Sequence, residues 1–326
     1  MPVPTGKQLV PAVPTVSAAR APFRPRLSLM GHLVRTDDGR VLVAEEWGSP
    51  SGAPVVLFHG TPGTRLGTLL PGVAEQHPGF RFLAYDRPGY GESGRAAGRL
   101  VADAARDAAA VADAFGVERF AVVGRSGGGP HALACAALLP ERVQAAAVLV
   151  GLAPPDAPGL DWFAGMTPFN VREYGLARTH LDGRDPGGLE RDLADRAVVL
   201  RRDPVRLLDD LRADLSPHDL SVVEDPRVRA VLLRTYREAL RISHHGWLDD
   251  CLAFVRPWGF DAVSVASPVL LWHGLDDAFS PVAHTRWLAG RIPGAELVLV
   301  PDAGHFAAQL ALPDVLRWLE RQGAGR

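Results

Sequence analysis

The stretch Val122-Val123-Gly124-Arg125-Ser126-Gly127-Gly128-Gly129-Pro130 constrains this chain more than any other part of it. An apolar run ends on a serine that has glycines two residues before and two after it, and helix formers follow from His131 to Leu139. A strand that turns sharply into a helix presses its last residues against the first helical turn. Only residues without a Cβ at Gly124 and Gly128 permit that approach. The serine between them is held in a strained conformation with its hydroxyl pushed outward, the arrangement called a nucleophile elbow. Pro130 fits the first helical turn, where no intrahelical donor is lost. Two competing glycine-rich loops fail on residue type. A dinucleotide loop needs glycine where Ser126 stands, and a phosphate-binding loop needs a Gly-Lys-Ser or Gly-Lys-Thr ending that the chain lacks.

With 326 residues, 47% of them hydrophobic and 22% charged, the chain can form one large α/β domain with an insertion or two ordinary domains. The formal net charge is -2 and the arginines are scattered, so no electrostatic footprint for nucleic acid is present. No apolar stretch reaches the roughly 20 residues of a membrane span. Cys135 and Cys251 are too few for a disulfide framework or a cysteine-built zinc site. Lys7 is the only lysine, a skew that fits a GC-rich genome better than a binding role. The expected partner is a small-molecule substrate, with no nucleic acid and no membrane; the expected location is cytoplasmic, and the oligomeric state is open. Residues 1–28 contain Pro2, Pro4, Pro11, Pro14, Pro22 and Pro25, and are expected to form a disordered tail rather than a signal or transit peptide.

From Leu33 onward the pattern is strand-like. Leu33 to Thr36 and Val41 to Trp47 flank the hairpin signal Asp37-Asp38-Gly39, and Pro54 to Phe58, Arg81 to Tyr85, Phe120 to Val123 and Gln144 to Val150 read as buried strands. After Gly151 comes a long proline-broken, charge-rich helical pattern, until Pro268 to Trp272 and Glu296 to Val300 resume the strands. Helices are expected over Val101 to Phe115, His131 to Leu139 and Phe306 to Arg321. Alternating strands and helices predict an α/β fold: a mainly parallel eight-stranded sheet with helices on both faces, an antiparallel opening hairpin, and a helical cap inserted after strand 6. The expected division is a core over 29–152 and 263–326 with the cap over 153–262.

Ligands of open α/β sheets gather at the carboxyl ends of the strands. The polar clusters His59-Gly60-Thr61-Pro62-Gly63, Asp86-Arg87, Ser126, His273-Gly274-Leu275-Asp276-Asp277 and Asp302-Ala303-Gly304-His305 all fall at such ends. A serine hydroxyl attacks only if a base takes its proton, and the base needs an anion to orient it. His305 is the candidate base and Asp277 the candidate anion, with Asp276 as its rival.

In this Ser, Asp, His order the chain resembles the α/β-hydrolase superfamily, as a capped, serine esterase-like member. Asp277 matches the family's Gly-x-x-Asp-x-x-x-Pro pattern as Gly274 to Pro281, and His305 its Gly-His-Phe ending. The resemblance implies an oxyanion hole made by the backbone N–H groups of Thr61 and Gly127, with no cofactor and no metal. It also implies hydrolysis of a carboxylic ester of a small to medium apolar substrate through an acyl-enzyme. Ser126 sets the chain apart from the otherwise similar epoxide hydrolases and haloalkane dehalogenases, which use an aspartate nucleophile. Proline iminopeptidases are an alternative, from which Gly127 and Pro88 depart. Carbon–carbon bond hydrolases and perhydrolases share the triad and stay open. A non-catalytic ligand receptor on this scaffold would show a damaged triad, whereas all three members are present.

Weaker features take simpler readings. His59, Asp86 and Arg87 are expected to brace loops. His244, His245, Asp249 and Asp250 place a histidine and a carboxylate at i, i+4 spacing, which reads as a solvated helix face rather than a metal site. Trp162, Phe163, Met166 and Trp247 are expected to line the substrate pocket beneath the cap. Phe169, Phe254, Trp258 and Phe260 carry the same pattern.

Overall fold

Side chains of successive strand residues point to opposite faces of a sheet, and here each face has its own helices. The computed structural model describes residues 31–323; the expected tail over 1–28 lies outside the described residues. Strands β1 (His32–Arg35), β2 (Val41–Gly48), β3 (Ala53–Phe58), β4 (Phe80–Tyr85), β5 (Phe120–Arg125), β6 (Val143–Leu149), β7 (Val269–Gly274) and β8 (Glu296–Val300) form one sheet. Its order is β1-β2-β4-β3-β5-β6-β7-β8, antiparallel where β2 meets β1 and β4 and parallel from β4 to β8.

Val56, Phe58, Val122 and Val148 face a core shared with α2 (Ala104–Ala114) and α3 (Gly128–Leu138). Val55, Leu57, Val123 and Leu149 face α1 (Val73–Gln76) and α11 (Leu312–Arg321) on the other side. Between β6 and β7 lie the cap helices α4 (Pro168–Leu181), α5 (Gly188–Arg202), α6 (Val205–Leu211), α7 (Pro217–Glu224), α8 (Pro226–Ala239) and α9 (His245–Phe254), and α10 (Val282–Ala289) follows β7. Prolines in the cap start helices rather than break them. Thr167, Ser216 and Asp225 cap α4, α7 and α8 through side-chain oxygens, each followed by a proline that loses no intrahelical donor. The first core cluster continues from the sheet into these helices through Leu193, Leu232, Trp247 and Phe254.

Two helices differ from expectation. Phe306 to Arg321 is not continuous: a 3-10 turn over Phe306–Gln309 is followed by a separate α11, whose first turn holds Pro313, a residue that could not sit inside one long helix. Val101 to Phe115 likewise opens with a 3-10 turn, in which the Leu100 amide donates to Asp103 Oδ2 at 2.8 Å. Among the described residues no helix is long and apolar enough to cross a membrane.

The elbow itself is as tight as its glycines require. Ser126 has φ 55°, a left-handed conformation that costs a residue with a Cβ. A Cβ on Gly124 would overlap the Gly128 backbone, and one on Gly128 would overlap the Phe58 carbonyl oxygen and reach the His59 oxygen at 2.8 Å. Gly128→Ala is therefore expected to lower stability by about 1–3 kcal/mol, since the backbones it would separate cannot give way cheaply. A urea titration checks this, and an unchanged midpoint contradicts it.

Candidate active site

Three strand ends converge at the elbow. Ser126 directly follows β5, Asp277 follows β7 and His305 follows β8. His305 Nε2 lies 2.9 Å from Ser126 Oγ, and His305 Nδ1 lies 2.8 Å from Asp277 Oδ2. Because the carboxylate can only accept, Nδ1 carries the proton and Nε2 is the acceptor facing the serine hydroxyl. Asp277 Oδ1 accepts from the Phe279 and Ser280 amides at 2.8 and 2.9 Å, which fixes the carboxylate plane. Burial opposes its ionisation, but His305 and His273 hold the Asp277 carboxyl below the usual carboxylate range. The rival Asp276 is exposed and faces His218 at 3.4 Å instead.

Beside the serine, the backbone N–H groups of Thr61 and Gly127 donate to no acceptor among the described residues. Gly127 directly precedes α3, so its amide adds to the positive end of that helix. The Thr61 loop is held from below. Arg87 donates to the His59 carbonyl, to the Gly60 carbonyl at 3.1 Å and to Thr61 Oγ1 at 2.9 Å. His59 donates from Nδ1 to the Gly60 carbonyl at 2.8 Å and accepts the Arg87 amide on Nε2 at 3.1 Å. Burial and the Arg87 charge keep its imidazole well below the usual histidine range, hence neutral. Asp86 accepts from the Arg65 amide at 2.7 Å and from its guanidinium at 2.5 Å. These geometries match the bracing expected of His59, Asp86 and Arg87.

The anchor of this loop is a cap residue. Asp250 of α9 accepts from Thr61 Oγ1 at 2.6 Å, Arg87 at 2.5 Å, Arg99 at 2.6 Å and Tyr90 Oη at 2.8 Å. Burial opposes its charge, yet Arg87 and Arg99 hold the carboxyl well below the usual range. One carboxylate between two guanidiniums leaves positive charge behind Thr61 and Gly127. The solvated helix face expected of His244, His245, Asp249 and Asp250 is therefore a correction. Asp249 and Asp250 are buried and paired with arginines, Asp249 with Arg95 at 2.9 Å, while His244 and His245 lie 4.0 Å from Glu190.

A second cap residue holds the His305 loop. Asp219 of α7 accepts from the backbone N–H groups of His305, Phe306 and Ala307 at 2.8, 2.7 and 3.3 Å. Gly304 admits it, since a Cβ there would overlap the Asp219 carboxylate. The spacing Ser216-x-x-Asp219 reads locally as a helix-capping pair, and the Asp219 amide does donate to Ser216 Oγ at 3.1 Å. Nothing local signals that its carboxylate belongs to a loop beyond β8.

A cavity opens above Ser126, lined by residues of the core and of the cap. Its apolar wall comes from Phe169, Leu207, Leu211, Leu232 and Phe279. None of Trp162, Phe163, Met166 and Trp247 lines it, which corrects the expected pocket. Trp162 is buried, with its indole N–H on the Ala153 carbonyl at 2.9 Å; Phe163 packs under Arg178; Met166 is buried; and Trp247 donates to Glu173 at 3.1 Å. Those side chains hold the cap to itself and to the core, because a large apolar surface is more stable between helices than facing an open cavity.

Comparison with known proteins places this geometry in a family. The family model for the alpha/beta hydrolase fold matches residues 53–309. The protein named "Putative carbamate hydrolase RutD" from Azorhizobium caulinodans is 36% identical over 271 residues, covering 81% of this chain and 88% of that one. 2-Hydroxymuconate semialdehyde hydrolase from Pseudomonas putida is 27% identical over 268 residues, with 78% and 81% covered. A thermophilic esterase from Thermogutta terrifontis shares the fold, with a TM-score of 0.65, 23% identity, and 89% of this chain and 98% of that chain covered. The chain belongs to the alpha/beta hydrolase fold family, and its reaction class is hydrolysis.

Glu173 generates a stability prediction. It lines the cavity, and burial pushes its carboxyl up to about 8, offset by Arg196 and the Trp247 indole. The folded state keeps a proton that the unfolded chain releases near ~4.3. Stability is thus full below that value and falls as pH rises toward about 8. Glu173→Gln is expected to flatten this decline, by up to ~1.4 kcal/mol per pH unit relative to wild type, in urea titrations from pH 5 to 8. Parallel pH profiles for the two proteins contradict the assignment.

Proposed function

We propose that this family member hydrolyses carboxylic esters of small to medium substrates with an apolar portion, through an acyl-enzyme on Ser126. The observation that carries the reading is the hydrogen-bonded path from Asp277 through His305 to Ser126, with the N–H groups of Thr61 and Gly127 beside it. As Ser126 Oγ attacks the ester carbonyl carbon, its proton passes to His305 Nε2. Asp277 stabilises the imidazolium formed. The carbonyl oxygen becomes an oxyanion that accepts from Thr61 and Gly127, next to the positive charge of the Arg87, Arg99 and Asp250 cluster. Collapse of this intermediate breaks the bond to the alcohol, which leaves with the proton from His305. Water then loses a proton to His305, attacks the acyl carbon, and frees the acid and Ser126.

The names of the relatives supply competing substrates, a carbamate for one and a semialdehyde for the other, and carbon–carbon bond hydrolases share the same triad. Prolyl amides are disfavoured by Gly127 and Pro88. Turnover of matched ester, carbamate, prolyl-amide and diketone substrates ranks these, with the ester expected to be fastest. A fluorophosphonate is expected to label the protein, and Ser126→Ala to abolish labelling and lower kcat by about 10³-fold or more. Labelling retained in a folded Ser126→Ala protein overturns the reading.

Asp219 acts on the same chemistry at one remove, by positioning His305. Asp219→Ala is expected to slow fluorophosphonate labelling of Ser126 by about 10-fold or more under conditions where circular dichroism shows a folded protein, because small misplacements of a base are costly. Asp219→Asn keeps one acceptor oxygen and is expected to recover part of the rate. Equal labelling rates in all three proteins contradict the role.

A further inference from the structure

Arg125 takes no part in the steps above, although it stands between Gly124 and Ser126. Its side chain turns toward the oxyanion loop, with Nη2 3.9 Å from the position a Cβ on Gly60 would take. Other buried arginines near the site hold carboxylates: Arg65 holds Asp86, while Arg87 and Arg99 hold Asp250. Arg125 pairs with no carboxylate among the described residues. Its partner is neutral: with the Gln309 amide oxygen turned toward it, Gln309 accepts from Nη2 at 2.8 Å and from Nη1 at 3.1 Å. Arg125 is half-buried and lines the same cavity as Ser126 and His305, and also a smaller one that it shares with Gln309 and Leu312.

Nothing else in the cavity wall balances this charge. Among the described residues Glu173 is the only acidic side chain lining it, and burial pushes that carboxyl up to about 8, so it is largely neutral near pH 7. Burial pulls the Arg125 guanidinium down only to about 10, so it stays charged, with Tyr236 the one titratable group acting on it. A guanidinium partly withdrawn from water without a counter-ion is costly to maintain. Its planar fork matches a carboxylate, which it can hold through two parallel hydrogen bonds.

We infer that Arg125 is a subsite for a carboxylate on the substrate, so that the ester cleaved carries a free carboxylate a few bonds from its reacting carbonyl. This rests on the hydrolase reading of Ser126 and narrows it: the apolar wall takes the chain of the substrate, and Arg125 takes its anionic end. Asn170, Thr235 and Tyr236 also line the cavity but carry no positive charge, which leaves Arg125 as the selective contact.

The test compares monomethyl esters of malonate, succinate, glutarate and adipate with neutral methyl esters of the same length, such as methyl pentanoate against monomethyl glutarate. The wild-type protein is expected to favour the half-ester at one or more chain lengths. In Arg125→Gln the ratio of kcat/KM for half-ester over neutral ester is expected to fall on the order of 10- to 100-fold, mainly through KM, the range for a lost hydrogen-bonded charge contact. Arg125→Lys keeps the charge without the fork and is expected to retain part of the ratio. Calorimetric titration of glutarate reads the subsite without turnover, with binding to wild type and its loss in Arg125→Gln. A ratio unmoved by Arg125→Gln, a wild-type preference for the neutral ester at every length, or no glutarate binding to wild type overturns the subsite. Fluorophosphonate labelling separates the two claims: if Ser126 is labelled while the ratio is unmoved, only the subsite fails, and if Ser126 is not labelled, the hydrolase reading fails with it.

Discussion

A carboxylate with no exposed surface, that of Asp250, joins the two parts of this molecule. It sits on a cap helix, yet its hydrogen bonds reach Thr61, Arg87, Tyr90 and Arg99, all of which precede the elbow in the chain. A buried charge must be paired and hydrogen-bonded to persist, so these groups cannot relax independently of α9. Arg87 extends the constraint to the carbonyls of His59 and Gly60, and through them to the direction in which the Thr61 amide points. The oxyanion loop is therefore set by the cap as much as by β3, which it follows.

Asp219 repeats this logic on the opposite side of the site. Three backbone amides at the start of the 3-10 turn after β8 donate to one carboxylate from α7, so His305 inherits its placement from the cap. In an insertion that only covered a pocket, the site below would be complete without it. Here the two loops that flank Ser126 are both held by cap carboxylates, and a shift of α7 or α9 would misplace the base or the amide donors. Ser126 alone is set by the core, through the close contact of β5 with α3. Among the described residues, the cavity between these elements combines an aliphatic and aromatic wall with one guanidinium, that of Arg125, and one acid, Glu173, that burial pushes up to about 8.

Much of the core was legible. Short apolar runs predicted the eight strands within a residue or two, since strands of a parallel sheet are buried on both faces. The elbow was legible for a steric reason confined to a few residues. The breaks at Leu310 and before Ala104 were not, because 3-10 and α-helical turns bury similar faces. The pocket aromatics were misplaced for a related reason. Trp162, Phe163, Met166 and Trp247 have the composition of a ligand wall, but composition cannot say whether an apolar side chain meets a cavity or another helix. Asp250 was read as part of a solvated helix face and Asp219 was not singled out, because their partners lie far away in the chain.

The sequence by itself determined the strand-to-helix turn at Ser126, the alternation that builds a doubly covered sheet, and the chain order of Ser126, Asp277 and His305. The first two follow from sterics and periodicity over short stretches, and the third from polar clusters at strand ends together with the family resemblance. Only the tertiary structure decided that Asp277 rather than Asp276 meets His305, that Asp219 and Asp250 hold the flanking loops, and that Arg125 lacks an acidic partner. Those outcomes depend on distances between segments far apart in the chain, where the energy of a buried charge is set by whichever groups the folded backbone brings within hydrogen-bonding reach.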